Sequence, residues 1–144
     1  LTDLELAIRS SWDALTCDPA EPEPWSADNP SRGQCVATTA VLHDYLGGDM
    51  LIAEVYVDGE QQGHHAWNRL AGGAEIDLTS AQFRPEESVG EPRVVARPSE
   101  RPMRIQAQYE LLRDRVRQRL SGGFTSAFAT EQVSPPRVDP RTAT

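Results

Sequence analysis

The sequence predicts an α+β domain in which a central helix, opening on a cysteine, packs against an antiparallel sheet. Three observations carry this. Apolar residues recur at helical spacing near both ends of the chain. Met50–Val57 is rich in β-branched and aromatic residues and stops at Asp58-Gly59, a strand followed by a turn. A second strand-like stretch then runs to Ala71-Gly72-Gly73, a hairpin signal. With 144 residues the chain has the length of one domain, enough for a single core without metal or disulfide staples.

The elements follow in order. Thr2-Asp3-Leu4-Glu5 resembles a capping box, and Leu4, Ala7, Ile8, Ser11 and Trp12 share a face, predicting a helix over about 2–15. The proline-rich stretch from Cys17 to Pro24 forces a loop, with Trp25 plugging it onto the body. Val36–Leu46 reads as a buried helix stopped by Gly47-Gly48, with Cys35 at its first turn and Tyr45 in the core. Met50–Val57, His64–Leu70 and Ala74–Leu78 read as a meander of strands. Residues 84–102 hold four prolines and read as a long loop with one short strand at Arg93–Ala96. Ile105, Tyr109, Leu112 and Val116 form the stripe of an amphipathic helix over 103–120. The predicted domain is therefore 1–120, followed by a flexible tail at 121–144 of Gly, Ser, Thr, Ala and Pro.

Charge narrows the function classes. The chain carries 14 basic and 22 acidic residues, net −8, and every basic residue is arginine. This balance argues against nucleic acid and anionic membranes as partners. The apolar runs fall short of the ~20 residues that span a bilayer. The first residues carry acid and no basic leader, so no signal peptide is read and the expected location is cytoplasmic. There Cys17 and Cys35 stay reduced, although a disulfide between them is an alternative.

Three residues point to chemistry. Cys35, after Ser31-Arg32-Gly33-Gln34, stands where a helix dipole favours a thiolate, the nucleophilic form. The backbone amides of that first turn, Val36 included, are candidate oxyanion donors, as is the Gln34 side chain. On a strand His65 and Trp67 share one face and His64 and Asn68 the other, so one histidine faces inward. Asp77, between Ile76 and Leu78, returns toward His65 across the hairpin. Such an acid orients a histidine base; the alternative is an Asp that caps the turn at Thr79-Ser80. Trp25, Trp67 and Phe83 are candidates to line an apolar pocket beside the thiol, and Asn68 to contact substrate there. Arg32 is a candidate to bind a carboxylate or simply a solvated loop residue. Cysteine, histidine and aspartate in this order match the arrangement of papain-like and transglutaminase-like thiol enzymes. That chemistry needs no cofactor. The rival use of Cys35, His43, His64, His65 and Asp77 as zinc ligands lacks the usual close-spaced pairs, so no metal is expected.

Asn29-Pro30 with Gly33-Gln34-Cys35, then Asp44–Gly48, His65–Leu70, Glu75–Thr79 and Gln82-Phe83, resemble the YunG-like family of small bacterial proteins over about residues 4–120. The resemblance supports the fold and the site rather than any one reaction. Gly33-Gln34-Cys35 also resembles the transglutaminase nucleophile motif, with Val36 where those enzymes usually carry Trp. The expected function is a Cys35–His65–Asp77 amidase, peptidase or acyltransferase acting on a small-molecule or peptide amide. The alternative is a non-enzymatic binding protein on the same scaffold.

Overall fold

Local hydrogen-bond chemistry decides where the first helix ends. In the computed structural model, which describes residues 2–98 and 102–123, α1 is Thr2–Arg9. It stops short of the predicted residue 15 because the polar side chains that follow bond to the backbone. The Ser11 hydroxyl donates to the Ala7 carbonyl at 2.7 Å, and the Asp13 amide donates to Thr16 Oγ1 at 2.9 Å. Such bonds compete with helix continuation. Trp12 then turns inward and gives its indole N–H to Thr38 Oγ1 at 2.9 Å.

Helix α2, Cys35–Leu46, begins at the predicted cysteine and buries Cys35 and every residue from Ala37 to Leu42. It ends at Gly47 and Gly48, both in the left-handed region at φ 68° and 75°. A Cβ at Gly48 would stand 2.3 Å from the Arg69 carbonyl oxygen, so glycine is required there on two counts. Tyr45, expected in the core, lies on the last turn and is 43% exposed.

Strands β1 (Asp49–Val57) and β2 (Glu60–Arg69) form an antiparallel hairpin through Asp58-Gly59, at φ 52° and 81°. Positive φ at both central residues is the turn that Asp-Gly favours. β2 starts four residues before the predicted His64: Glu60–Gly63 are polar and lack a strand signature, but the turn zips them onto β1. β3 is only Glu75–Ile76, against the predicted 74–78, so Asp77 lies just past its end. β4 (Glu87–Val89), read as loop in the sequence, and β5 (Arg93–Val95) both pair with β1 on its other side. The sheet has five strands, in the order β3-β2-β1 with β4 and β5 sharing the far edge.

Helix α3, Gln106–Gln118, buries Tyr109, Leu112 and Val116 against α1 and α2 and runs into a π-helical turn at Arg119–Gly123. That turn takes in the first residues of the predicted tail, and the rest of the tail, 124–144, lies outside the described residues. The main core joins the three helices with Leu78, and a smaller cluster of Leu51, Ala53 and Trp67 sits on the sheet. The α+β architecture thus agrees with the expected one.

Candidate functional site

The backbone before α2 is fixed by contacts that leave one solution. Gly33 takes φ 78°, and a Cβ there would fall 2.5 Å from Cys17 Sγ. Gln34, fully buried, binds the α1–α2 loop: its carbonyl oxygen accepts from Thr16 Oγ1 at 2.8 Å and its NH2 donates to the Asp13 carbonyl at 3.0 Å. Cys35 follows as the first helical residue, 8% exposed, in the wall of a cavity of about 800 Å³. The first backbone hydrogen bond of the helix comes from the Thr38 amide to Gln34 O. The amides of Cys35, Val36 and Ala37 precede it and make no backbone hydrogen bond among the described residues.

His65, 2% exposed, is held from several sides. Its Nε2–H donates to Asp77 Oδ2 at 2.6 Å. The ring stacks on Trp67 at 5.4 Å between centroids and meets Phe83 edge-on at 4.6 Å. The other nitrogen, Nδ1, is buried and meets no partner at hydrogen-bond geometry. Burial alone would lower the affinity of the ring for a proton. Asp77 and then Cys35 act against it, by hydrogen bonding and charge, and together they raise the His65 pKa to about 9. The cysteine is thus near enough to act on the charge of the ring.

Asp77 serves two partners at once. While Oδ2 holds His65, Oδ1 accepts from the Thr79 amide at 3.2 Å and from its hydroxyl at 3.3 Å. Oδ1 thus makes the expected turn contact at Thr79, while Oδ2 is the oxygen that meets His65. The Thr79 carbonyl in turn accepts from Gln82 Nε2 at 3.0 Å, and Gln82 Oε1 accepts from the Gly33 amide at 3.4 Å. A run of hydrogen bonds therefore joins the aspartate to the backbone two residues before Cys35. Gln82 belongs to the stretch that carries the family resemblance, but the sequence assigns it no role; that depends on the turn at Ser80–Gln82.

The cavity is ionic on one side and apolar on the other. Arg32 bridges Glu21 at 2.9 Å and Glu87 at 2.9 Å, tying the 17–34 loop to β4. Those carboxylates hold the guanidinium charged, and the guanidinium in turn keeps Glu87 below the ordinary carboxylate range against the effect of burial. Arg32 is thus a structural tie to two internal carboxylates rather than a solvated side chain. Arg104 makes a forked pair with Asp18. Val36, Ile52, Val55 and Phe83 supply the apolar wall.

The protein family described as YunG protein matches residues 1–121. The chain belongs to the YunG family. No curated protein and no solved structure matches it. The span shared with the YunG family takes in Cys35, His65, Asp77 and every residue lining the cavity.

Other expectations for this YunG-family chain need correction. The Gln34 carboxamide faces the α1–α2 loop and is engaged there, so it is a clamp and not an oxyanion donor. Asn68 is 1% exposed, on the face of β2 opposite His65, and donates to the Thr39 carbonyl at 3.1 Å; it secures α2 to the sheet rather than contacting the cavity. Trp67 backs the His65 ring and donates to Glu75 at 2.8 Å, and neither it nor Trp25 lines the cavity. Trp25 folds onto its own loop through the Pro30 carbonyl. Phe83 and Val36 do line it. Among the described residues no three His, Cys, Asp or Glu side chains converge as a metal site. Cys17 and Cys35 are both free thiols, and burial with Glu21 and Asp18 pushes the Cys17 thiol up. No helix among the described residues is long and apolar enough to cross a membrane.

Proposed function

We propose that this YunG-family chain is a thiol acyl-transfer enzyme, an amidase, peptidase or acyltransferase, in which Cys35 is the nucleophile, His65 the base and Asp77 its orienting acid. The observation that carries the reading is the 2.6 Å bond from His65 Nε2 to Asp77, which leaves Nδ1 unpartnered on a ring whose charge responds to Cys35. The arrangement is similar to that of papain-like and transglutaminase-like enzymes.

Nδ1 takes the Cys35 proton, and the thiolate attacks a carbonyl carbon from the cavity wall. Negative charge develops on the carbonyl oxygen, where the unpaired amides of the first helical turn, Val36 among them, can receive it. The imidazolium, stabilised by Asp77, returns its proton to the leaving amine as the C–N bond breaks. A thioester on Cys35 remains. Water or a second amine gives a proton to Nδ1 and attacks it, and the thiolate is released.

The test is the rate of Cys35 alkylation by iodoacetamide from pH 4 to 9, read by mass spectrometry in wild type and His65→Ala. The reading predicts a thiol that still reacts near pH 6, where an ordinary cysteine is almost fully protonated, and at least about a tenfold loss in the variant at that pH. A slow thiol indifferent to His65 would make Cys35 structural and favour a binding protein on this scaffold. Amides and thioesters are then the compounds to screen.

A further inference from the structure

We propose that the uncovered stretch of β2, Glu60–His64, is a rail on which an extended polypeptide docks beside Cys35, making the substrate a peptide segment. The proposal rests on the thiol reading above and names its substrate class.

A strand ten residues long has two edges. One edge of β2 pairs with β1 along its length, while the other meets β3 only at Asn68 and Arg69. His65, Ala66 and Trp67 are buried, and the segment that holds Asp77 and Phe83 packs on that end. On that second edge Glu60–His64 have no strand beside them among the described residues, and they are exposed except for the half-exposed Gly63. An edge of this kind presents backbone groups that another chain can pair with, and no proline interrupts it here.

Three features aim this edge at the thiol. Gln62, Gly63 and His64 line the same cavity as Cys35. The register against β1 slips between Val55 and Tyr56, leaving Gln62 as an extra residue, a bulge of the sort that re-aims strands near active sites. Gly63 has nothing within 4 Å of where a Cβ would sit, and a glycine inside a strand marks a place where another backbone comes close.

Charge selects among peptides. The arginines lining the cavity, Arg32, Arg84 and Arg104, are each paired with a carboxylate. Glu86 in the cavity wall and Glu60 on the rail have no ion-pair partner among the described residues. The excess is negative, so a neutral or basic segment fits better than an acidic one.

The probes are acetyl-tripeptidyl chloromethyl ketones, compared with chloroacetone, which carries the same reactive group without a peptide, and scored as labelling of Cys35 in the full chain. The arginine-containing ketone is expected to label at least about tenfold faster than chloroacetone, the worth of one or two backbone hydrogen bonds. A glutamate in its place slows it. Strand pairing engages alternate residues, so N-methylation of one alternate set of amides removes the gain and methylation of the other set leaves it. Gly63→Val, which has open space for its side chain, is expected to lose most of the peptide gain. Equal rates for peptide and chloroacetone, or equal effects of the two methylation patterns, would overturn the rail. If iodoacetamide still finds a thiol dependent on His65, the rail alone falls. If that dependence is missing, the thiol reading falls and takes the rail with it.

Discussion

From His65 to Asn68, β2 is buried, while from Glu60 to His64 the same strand lies open along its outer side. The contrast is sharpest at the adjacent histidines. His65 is sealed between Asp77, Trp67 and Phe83, and His64 stands half in solvent, 3.9 Å from Glu54. Identical side chains on one backbone thus acquire opposite properties from what packs beside them. Period-two alternation is enough to say that one of them faces inward. The depth of the difference comes from the loop after β3, which covers one half of the strand and stops before the other.

The largest effect expected from breaking this contrast is on His65. Replacing it with glutamine removes a buried partner of Asp77 and should cost about 2–4 kcal/mol at pH 6 in urea unfolding. The pH dependence has a definite sign. The folded-state pKa of His65, about 9, lies above its ordinary value, so the folded chain binds this proton more tightly than the unfolded chain. That contribution is complete below pH ~6.5 and is lost as pH climbs through about 9. The gap between wild type and His65→Gln should therefore narrow between pH 6 and 9.5, and a gap constant with pH would mean that His65 is held neutral.

A smaller effect is expected from Asp77→Asn, which keeps the shape and removes the charge. The His65 pKa, followed by NMR, should fall toward ~6.5. Cys35 alkylation at pH 6 should slow severalfold with the fold intact. Gln82→Ala comes next. It strips acceptors and donors from Gly33 and Thr79 and should cost about 1–2 kcal/mol in unfolding free energy. Its loss should also slow Cys35 alkylation, because the segments that carry Cys35 and Asp77 are tied through it. The smallest effect is expected at the open end: His64→Ala should change stability by less than about 0.5 kcal/mol and leave alkylation unchanged, since an exposed ion pair contributes little.

Sequence reading was strongest where a local signal coincides with tertiary need. The Gly47-Gly48 stop, the Asp58-Gly59 turn and the start of α2 at Cys35 are of this kind, and they bring Cys35, His65 and Asp77 to one region. It was weakest where pairing overrides propensity. Glu60–Gly63 become strand because a turn forces them against β1, and β4 pairs with β1 where Arg32 holds Glu87, a contact 55 residues away in sequence. The roles of Gln34 and Asn68 were also beyond reach. An amide side chain has the same donors and acceptors in a clamp as in an oxyanion site, and only the neighbouring backbone decides which it becomes.

The divided carboxylate of Asp77 bears on how such a protein can diversify. One oxygen sets the angle of the imidazole and the other anchors the turn that carries Gln82 and Phe83, a wall of the cavity. Insertions or swaps in that turn, the obvious route to a new ligand preference, would pull on the base through a single side chain. The rim formed by Glu86 and Asp18–Glu21 makes no hydrogen bond to the Asp77–Thr79–Gln82 run among the described residues. Variation that alters ligand choice while sparing the chemistry should therefore accumulate in the rim, and a library built to retarget the cleft should begin there.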